Sequence, residues 1–241
     1  MAIPSYASRD NRATVFRHEL KYQINTEQLY TLKHQLSDIM CLDMNTGSDG
    51  SYRIRSLYFD DYENTSYYEN VNGTQPREKF RIRMYNGSTK TLRLEQKRTE
   101  YSKTHKRSCR VTEHIVNTMM EGTTIPWDDE MDPLLKKFYI FQETRLLRPK
   151  MIVEYDRIPF VYPDGNVRIT LDMNMGACSR VEDFLHSDIF AQPIMPSGKH
   201  LMEVKYDGFL PDFIFRSIQN KNLPLVTFSK YYLCRKYGDL L

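Results

Sequence analysis

The segment REKFRIRMY, residues 77–85, constrains the fold of this chain most, because cationic and apolar side chains alternate along it. The cations occupy every second position: Arg77, Lys79, Arg81 and Arg83. A period of two is the period of a β-strand, in which side chains two positions apart share one face. We therefore predict a strand with one cationic face, whose charges repel one another unless an anion lies among them.

Several other segments repeat this alternation, with charged residues on one face and apolar residues on the other. Their charged faces carry the following residues: Arg17, Glu19 and Lys21; Arg53 and Arg55; Arg93, Glu95 and Lys97; Arg168, Thr170 and Asp172; Glu203 and Lys205. The segment at 150–162 offers either Glu154 with Asp156 or Tyr155 with Arg157, and the pattern does not choose between them. A single strand of this kind usually turns its polar face to water. At least seven in one chain suggest a shared charged surface.

Amphipathic segments between the strands predict helices that cover apolar surfaces. Asn25 and Gln28 match a capping box, and Leu29, Leu32 and Leu36 follow at helical spacing. Further helices are predicted in these segments: DYENTSYYENVNG (a short helix or turn), residues 111–147, PDFIFRSIQN and FSKYYLCRKYG.

Helices that cover the apolar strand faces leave the charged faces turned toward one another. An antiparallel sheet of about eight strands that closes on itself gives a barrel wide enough to hold a ligand. We therefore predict an α+β fold, in which an antiparallel β-barrel tunnel of about eight strands is flanked by helices. Residues 1–241 are predicted to form a single domain of this kind, with residues 1–14 flexible.

The turn at residues 86–88 decides whether the two strands beside it present their cations on the same face. Opposed residues of a hairpin share parity only when the loop holds an odd number of residues, and a two-residue loop would separate the cations. Because Ile82 and Leu94 must also share an apolar face, we predict an odd loop of three or five residues.

The overall composition limits the classes of partner. A net charge of +3 is too small for a general nucleic-acid binder, so a polyanion site must come from where the charges lie. The first residues are polar and lack the apolar core of a signal peptide, and no run approaches the ~18 apolar residues of a membrane span. These features predict a cytoplasmic protein that would reach a membrane through a partner.

A tunnel lined by Arg and Lys favours a multiply charged anion, and phosphate fits better than carboxylate or nucleic acid. Arg binds phosphate oxygens bidentately and stays charged in a low-dielectric site. Nucleic-acid sites place aromatic side chains among the cations, whereas here the residues between the cations point away from them. Glu residues in such a tunnel are suited to holding a divalent metal.

The motifs along the chain resemble those of the triphosphate tunnel metalloenzymes, and within that group those of the VTC-type polyphosphate polymerase domain. Eight motifs occur in that family's order between residues 17 and 232: RHELKYQI, IRSLYFDD, FRIRMY, LRLEQKR, VEYDRIPF, VRITLD, LMEVKYD and FSKYY. This domain is the catalytic part of the vacuolar transporter chaperone complex and has bacterial relatives. The resemblance implies a barrel tunnel that binds a nucleoside triphosphate and a divalent metal, Mn²⁺ or Mg²⁺.

The resemblance also implies a function and its residues. The function is that of a polyphosphate polymerase, which transfers the γ-phosphoryl group of ATP to a growing inorganic polyphosphate chain. The implied catalytic contacts to phosphate are Lys21, Arg81, Arg83, Lys97 and Arg168. The implied substrate-binding residues are Lys106, Arg157, Tyr155, Ser229 and Lys230. Glu203 is the implied metal ligand, with Glu19 or Glu95 as a further candidate. Arg55 is added as a substrate-binding residue from its strand face, where the tunnel mouth and solvent are both open alternatives.

The chain departs from the broader CYTH group, which opens with ExExK, because Arg17 stands at the first Glu position. This departure weakens a hydrolase built on two opening carboxylates and suits the VTC branch. Two other functions stay open. One is a metal-dependent triphosphatase acting on tripolyphosphate or a nucleoside triphosphate, and the other is a non-catalytic module that binds polyphosphate or inositol phosphates. Membrane delivery of a product would need a separate membrane-protein partner.

Overall fold

A computed structural model describes residues 17–100, 103–219 and 223–238. The predicted flexibility of residues 1–14 lies outside the described residues. In these ranges the strands are β1 (His18–Asn25), β2 (Cys41–Leu42), β3 (Tyr52–Asp60), β4 (Arg77–Tyr85), β5 (Ser88–Glu100), β6 (Lys103–Arg110), β7 (Arg148–Tyr162), β8 (Val167–Cys178), β9 (Gln192–Pro193) and β10 (Lys199–Tyr206). The α-helices are α1 (Thr26–Ile39), α2 (Thr65–Asn72), α3 (Glu113–Met120), α4 (Pro133–Arg145), α5 (Asp212–Gln219) and α6 (Lys230–Gly238).

The strands of the described residues form one ten-stranded antiparallel sheet. Their order is β1-β10-β8-β7-β3-β4-β5-β6, and the short strands β2 and β9 pair with β7 and β8. The predicted α+β class and antiparallel sheet are confirmed. The prediction of a closed barrel is wrong, because β1 and β6 are the two ends of the sheet and no backbone pairing joins them in the part of the chain that is described.

The sheet is nevertheless curved so strongly that side chains from its two ends are in contact. β1 and β5 are six positions apart in the strand order, which would separate them by about 29 Å in a flat sheet. Lys97 Nζ on β5 lies only 3.2 Å from Glu19 Oε2 on β1. Two side chains cannot span so wide a gap, so the sheet must curl around a concave side on which both residues lie.

The free edge of β1 is covered by the chain that leads to α6. Gln23 N donates a hydrogen bond to Pro224 O at 3.3 Å, and Val226 N donates to Lys21 O at 2.8 Å. An uncovered edge would leave these backbone groups to solvent or to another chain. The segment therefore takes the place that a closing strand would occupy beside β1.

Helices cover the convex side of the sheet through two apolar clusters. In the first, Phe138 of α4 packs with Ile82 and Leu94 of the β4–β5 hairpin. In the second, Leu32 of α1 packs with Val204 of β10. A fully buried side chain of this size stabilises a fold by roughly 1.5–3 kcal/mol. None of the described helices is long and apolar enough to cross a membrane.

Helix α6 differs from the other helices because it packs into the concave side. Tyr231 is 1% exposed and stacks on Tyr58 of β3 with 5.2 Å between the ring centroids. Its hydroxyl donates to Asp60 Oδ2 at 2.6 Å, and Cys234 is buried in the same cluster as Val153 of β7. The helix therefore fills one part of the concave side and leaves the rest to charged residues.

The β4–β5 turn contains only Asn86 and Gly87, so the prediction of a loop of three or five residues is wrong. Both residues have positive φ, 51° and 66°, as a tight two-residue hairpin requires. A bulge supplies the change of parity instead, because the register shifts between Arg83 and Tyr85 and leaves Arg83 opposite Arg93. The cations of β4 and β5 consequently share one face, as predicted.

Candidate functional site

The charged strand faces meet on the concave side of the sheet, which we call the inner face. The pairing register aligns them in rows, such as Lys21 on β1, Glu203 on β10 and Thr170 on β8. The polar side chains of the inner face include Glu19, Lys21, Tyr52, Ser56, Tyr58, Lys79, Arg81, Arg83, Arg93, Glu95, Lys97, Lys106, Tyr155, Arg157, Arg168, Thr170, Asp172, Glu203 and Lys205.

The first ionic cluster of the inner face is centred on Glu95, whose side chain is 3% exposed. Arg81 Nη2 lies 2.7 Å from Glu95 Oε2, and Lys106 Nζ lies 2.5 Å from Oε1. Arg83 Nη1 is more distant, at 3.7 Å from Oε2. Burial raises the pKa of Glu95, but the three cations outweigh burial and hold this pKa well below its usual value. Glu95 is therefore ionised and ties β4, β5 and β6 together.

A second cluster joins two buried carboxylates through one ammonium group. Lys230 Nζ lies 2.8 Å from Asp172 Oδ2 and 2.8 Å from Glu203 Oε1. Arg157 donates to both oxygens of Asp172, at 2.6 and 2.7 Å, and Lys205 Nζ lies 3.0 Å from Glu203 Oε2. Burial raises the pKa of both carboxyl groups, but these cations outweigh it, so both pKa values are lowered. The cluster ties α6 to β7, β8 and β10.

Glu19 is shared between lysines from opposite ends of the curved sheet. Lys21 Nζ of β1 lies 3.1 Å from Glu19 Oε1, and Lys97 Nζ of β5 lies 3.2 Å from Glu19 Oε2. Burial raises the pKa of Glu19, but Lys205, Lys97 and Lys21 lower it to about 2. This carboxylate is also ionised and surrounded by cations.

Arg83 is a buried arginine with weak partners, although it is only 7% exposed. Apart from the distant carboxylate described above, its contacts are neutral: Nε donates to Ser56 Oγ at 3.3 Å and Nη2 to Tyr155 Oη at 3.5 Å. The Tyr155 ring also lies 5.2 Å from the Arg157 guanidinium and 4.9 Å from Lys230 Nζ. A buried cation without a close counter-charge is unfavourable. An anion beside Arg83 and Tyr155 would relieve this cost.

Arg168 lies at a more open part of the inner face, with a side chain that is 33% exposed. Its Nη2 lies 2.9 Å from Tyr52 Oη and 3.0 Å from Asp43 Oδ2, in the loop after β2. It stands opposite Lys205 on β10. Arg168 is thus held in place at a position that solvent and a ligand can reach.

Lys79 on β4 contacts neutral partners, and other cations together with the carboxylates of Asp60 and Glu69 lie farther away. Its Nζ donates to Asn70 Oδ1 at 3.2 Å and lies 3.3 Å from Ser229 Oγ. Burial, followed by repulsion from Arg77 and Lys97, lowers the pKa of Lys79 to about 7. Its charge is therefore only partly present at neutral pH, and a bound anion would favour the protonated form.

The structure brings most of the predicted site residues to the inner face or to the α6 border beside it: Lys21, Arg81, Arg83, Lys97, Arg168, Lys106, Arg157, Tyr155, Ser229, Lys230, Glu203, Glu19 and Glu95. The sequence pattern of β7 allowed either of two residue pairs on the charged face. The structure places Tyr155 and Arg157 on the inner face. Their neighbours Glu154 and Asp156 lie on the other side of the sheet, where both approach Arg53.

Arg55 is the predicted residue that the structure does not bring to this site. It is 2% exposed on the convex side, where Nε donates to Glu154 Oε2 at 2.6 Å. Its Nη1 donates to the carbonyl oxygens of Phe184 at 3.0 Å and His186 at 2.5 Å, and Nη2 donates to that of Ser187 at 3.2 Å. Arg55 therefore anchors the segment that covers this part of the sheet.

Four charged residues of the inner face were predicted on charged strand faces but not assigned to the site: Lys79, Arg93, Asp172 and Lys205. Their parity relative to the assigned residues of the same strands is the signal that could have included them. Tyr58 gave no such signal. It belongs to the site because Arg81 Nη1 donates to its hydroxyl at 2.9 Å.

The inner face offers only part of a metal site. Among the residues that the structure describes, no three His, Cys, Asp or Glu side chains are grouped to hold a metal ion. Glu203 and Glu19 lie on adjacent strands, and the buried Thr170 hydroxyl opposite Glu203 has no hydrogen-bond partner in the described part. Glu95 belongs instead to the first ionic cluster, with Arg81 and Lys106. Mg²⁺ often takes one or two carboxylates and completes its shell with water and substrate phosphates. Glu203 and Glu19 fit such a shared metal.

Comparisons with known proteins agree with this geometry. Residues 16–237 match the family model of the VTC domain, and no curated protein matches the chain. A Bacillus halodurans protein described as a candidate adenylate cyclase has 13% identity and a TM-score of 0.51, over 89% of this chain and 94% of its own. A Hippeastrum protein, described as a candidate adenylyl cyclase with a dominant triphosphatase activity, has 12% identity and a TM-score of 0.52. The match covers 91% of this chain and 96% of that protein's chain. At such low identity these two likenesses show the fold alone.

Proposed function

Because this chain belongs to the VTC domain family, we propose that it is a polyphosphate polymerase. In this proposal the inner face binds ATP and a growing inorganic polyphosphate chain, and the γ-phosphoryl group passes from the first to the second. The observation that supports it most is the excess of cations on the inner face, where the side chains named above include ten Lys and Arg residues and four carboxylates. Arg83 in particular is buried with its nearest carboxylate oxygen at 3.7 Å and otherwise neutral partners, and arginines and lysines grouped in one groove are suited to binding phosphate chains.

The proposed reaction requires positioning more than covalent chemistry. Phosphoryl transfer passes through a transition state whose charge lies on the equatorial oxygens of the transferred group, so fixed cations lower the barrier. Arg83 and Arg157 approach the Tyr155 ring from two strands and would hold these oxygens. Lys21 and Lys97 face each other across Glu19 and would hold other phosphates in line.

The carboxylates of the inner face are better suited to a reaction with a phosphate acceptor than to the activation of water. Attack by water is helped by a general base whose pKa lies near the working pH. The carboxylates Glu19, Asp172 and Glu203 all have lowered pKa values because cations surround them, and they are correspondingly weak bases. The end of a polyphosphate chain is already ionised at neutral pH and needs no base. This contrast supports the polymerase over the triphosphatase that shares the same groove.

A divalent metal, Mn²⁺ or Mg²⁺, is part of the proposal. Glu203, with Glu19 on the adjacent strand, would hold it, and when bound it would neutralise charge on the phosphate oxygens. In the structure, Lys205 and Lys230 contact Glu203, and Lys21 and Lys97 contact Glu19. These lysines would therefore have to turn toward the phosphates when the metal is present.

The expected result with ATP and Mn²⁺ or Mg²⁺ is ADP together with chains of more than three phosphates. Phosphorus NMR measures this directly, because internal, terminal and free phosphate give separate signals. Glu203→Gln removes the charge of the proposed metal ligand and should lower the rate at least about a hundredfold. Glu78→Gln is the matched control, because Glu78 pairs with Lys137 away from the inner face, and it should keep the wild-type rate.

Three outcomes of this assay would contradict parts of the proposal. Free phosphate without chains would support the triphosphatase instead. Tight phosphate binding without any ATP turnover would support a non-catalytic polyphosphate or inositol-phosphate module. A wild-type rate in Glu203→Gln would remove Glu203 as the metal ligand.

The partners follow from the same proposal. ATP and inorganic polyphosphate are the proposed small-molecule partners, and the absence of a nucleic-acid partner stays a prediction from the sequence. A cytoplasmic location and a separate membrane-protein partner that receives the product stay predictions from the sequence.

A further inference from the structure

Lys79 differs from the other lysines that line the inner face. Each of the others lies within 3.2 Å of a carboxylate oxygen: Lys21, Lys97, Lys106, Lys205 and Lys230. Among the described residues, Lys79 has no such partner. Its ammonium contacts the neutral oxygens of Asn70 and Ser229, at 3.2 and 3.3 Å, and lies 5.5 Å from the centroid of the Tyr231 ring. An ammonium group has three N–H donors, so a lysine that contacts only two neutral oxygens can still donate a hydrogen bond to an anionic ligand.

We propose that Lys79, Ser229 and the first turn of α6 form a separate anion subsite for a phosphate group of the polyphosphate acceptor. The donor triphosphate lies on the arginines of the inner face, and the acceptor chain continues from there toward α6. This inference rests on the proposed function, because it divides the same groove between donor and acceptor. It assigns a role to Lys79 that neither the sequence motifs nor the ionic clusters give.

The position of Lys79 along β4 supports this division. Lys79 and Arg81 lie two residues apart on one strand face, about 6.6 Å along the strand, and Arg83 lies one step farther. Lys79 is paired with Lys97 on β5, whereas Arg81 is paired with Glu95. The groove beside Lys79 is therefore lined by lysines rather than by an arginine–carboxylate cluster. A phosphate chain that extends from Arg83 past Arg81 toward α6 meets Lys79 next.

The start of α6 adds a hydroxyl group and a helix N-terminus to the same place. Ser229 caps the helix, because Tyr232 N donates to Ser229 Oγ at 3.3 Å. Lys21 Nζ donates to the carbonyl oxygen of Phe228 at 2.7 Å, which fixes the chain just before the helix. The N-terminus of a nine-residue helix carries a partial positive charge. Lys79 Nζ and this helix end thus approach one point from β4 and from α6.

The charges around Lys79 agree with anion binding. Burial and repulsion from Arg77 and Lys97 disfavour its protonated form, and Lys21 adds to the repulsion, whereas the carboxylates of Asp60 and Glu69 favour that form. Asp60 is itself bound to the Tyr231 hydroxyl and does not contact the ammonium. A phosphate bound at Lys79 would offset the repulsion and would favour the protonated form of the Lys79 amine.

The test compares two phosphate ligands by calorimetry: tripolyphosphate, and an inorganic polyphosphate of defined greater length. Lys79→Met should weaken binding of the longer chain about tenfold to a hundredfold, the effect of losing one charge-assisted contact. It should change tripolyphosphate binding less than about threefold. Lys79→Arg keeps the charge and should restore most of the affinity for the longer chain. Lys90→Met, at an exposed lysine of β5, is the matched control and should bind both ligands as the wild type does.

The possible outcomes separate this subsite from the proposed function. An equal loss for both ligands in Lys79→Met would overturn the subsite, because Lys79 would then belong to the donor position. No loss for either ligand would also overturn it. If the wild type binds neither ligand, the proposed function fails together with the subsite. Thermal unfolding of each variant confirms that the comparison is made on folded protein.

Discussion

Replacing Arg83 by methionine is expected to weaken the binding of tripolyphosphate about a hundredfold or more. Arg83 is buried, but its nearest carboxylate oxygen is 3.7 Å away and its other contacts are neutral oxygens at 3.3 and 3.5 Å. A bound phosphate would accept two charge-assisted hydrogen bonds from this guanidinium, each worth roughly 1.5–3 kcal/mol. Titration calorimetry at one fixed ionic strength measures the loss, because salt screens such contacts.

Arg98→Met is the matched control for this experiment. Arg98 is 45% exposed and pairs with Glu100, on the opposite face of β5 from Glu95, so its loss should leave tripolyphosphate binding unchanged. Arg83→Met should remain folded, because it removes one of two neighbouring like charges from the inner face. Equal affinity in wild type and Arg83→Met would show that the phosphate lies elsewhere.

The second large expected effect is on stability. Arg157→Met is expected to lower the free energy of unfolding by about 3 kcal/mol, because it removes the bidentate partner of Asp172, which is 0% exposed. Breaking a buried ion pair typically costs about 3–5 kcal/mol, and the contact of Asp172 with Lys230 keeps the loss near the lower end. Equilibrium unfolding in urea measures the change.

A double variant distinguishes the loss of the ion pair from a loss of packing. In Arg157→Met combined with Asp172→Leu, the uncompensated carboxylate is gone, and at least half of the lost stability should return. Lys230 would keep Glu203 as its counter-charge. If the double variant is as unstable as the sum of the two single variants, the pairing of Arg157 with Asp172 does not explain the cost.

The alternation of side chains predicted the inner face well because strand parity is a local property. Arg81 and Arg83 share a face of β4 and Glu95 and Lys97 share a face of β5 by parity alone, and the bulge after Arg83 places both pairs on the same side of the hairpin. Lys106 was harder to place, because its basic segment resembles a loop in sequence and becomes a strand only by pairing with β5. The ion pairs themselves depend on how the strands are ordered, which the pattern does not contain.

Parity alone could not decide which face of β3 and β7 looks inward, because both faces carry polar groups. Arg55 and Glu154 neutralise each other on the convex side, and backbone carbonyl groups of residues 184–187 complete the coordination of the guanidinium. That arrangement requires a distant segment to fold over the sheet. The prediction of Arg55 as a substrate-binding residue rested on its charged strand face and did not include this partner.

The place of α6 was also beyond a local pattern. Apolar positions such as Tyr231 and Cys234 predict a helix with one buried side, but not the surface that it covers. In the structure these residues pack with Tyr58 and Val153 inside the curved sheet. The same helix brings Lys230 to Asp172, so the missing closure of the barrel and the composition of the site have a common cause.

A crystal structure determined with tripolyphosphate bound would show directly whether the inner face binds phosphate. We expect the phosphate chain on the concave side of the sheet, with oxygens within hydrogen-bond distance of Arg83, Arg157 and Arg168. Phosphate bound only on the convex side, with the inner face still closed by its own ion pairs, would contradict this expectation.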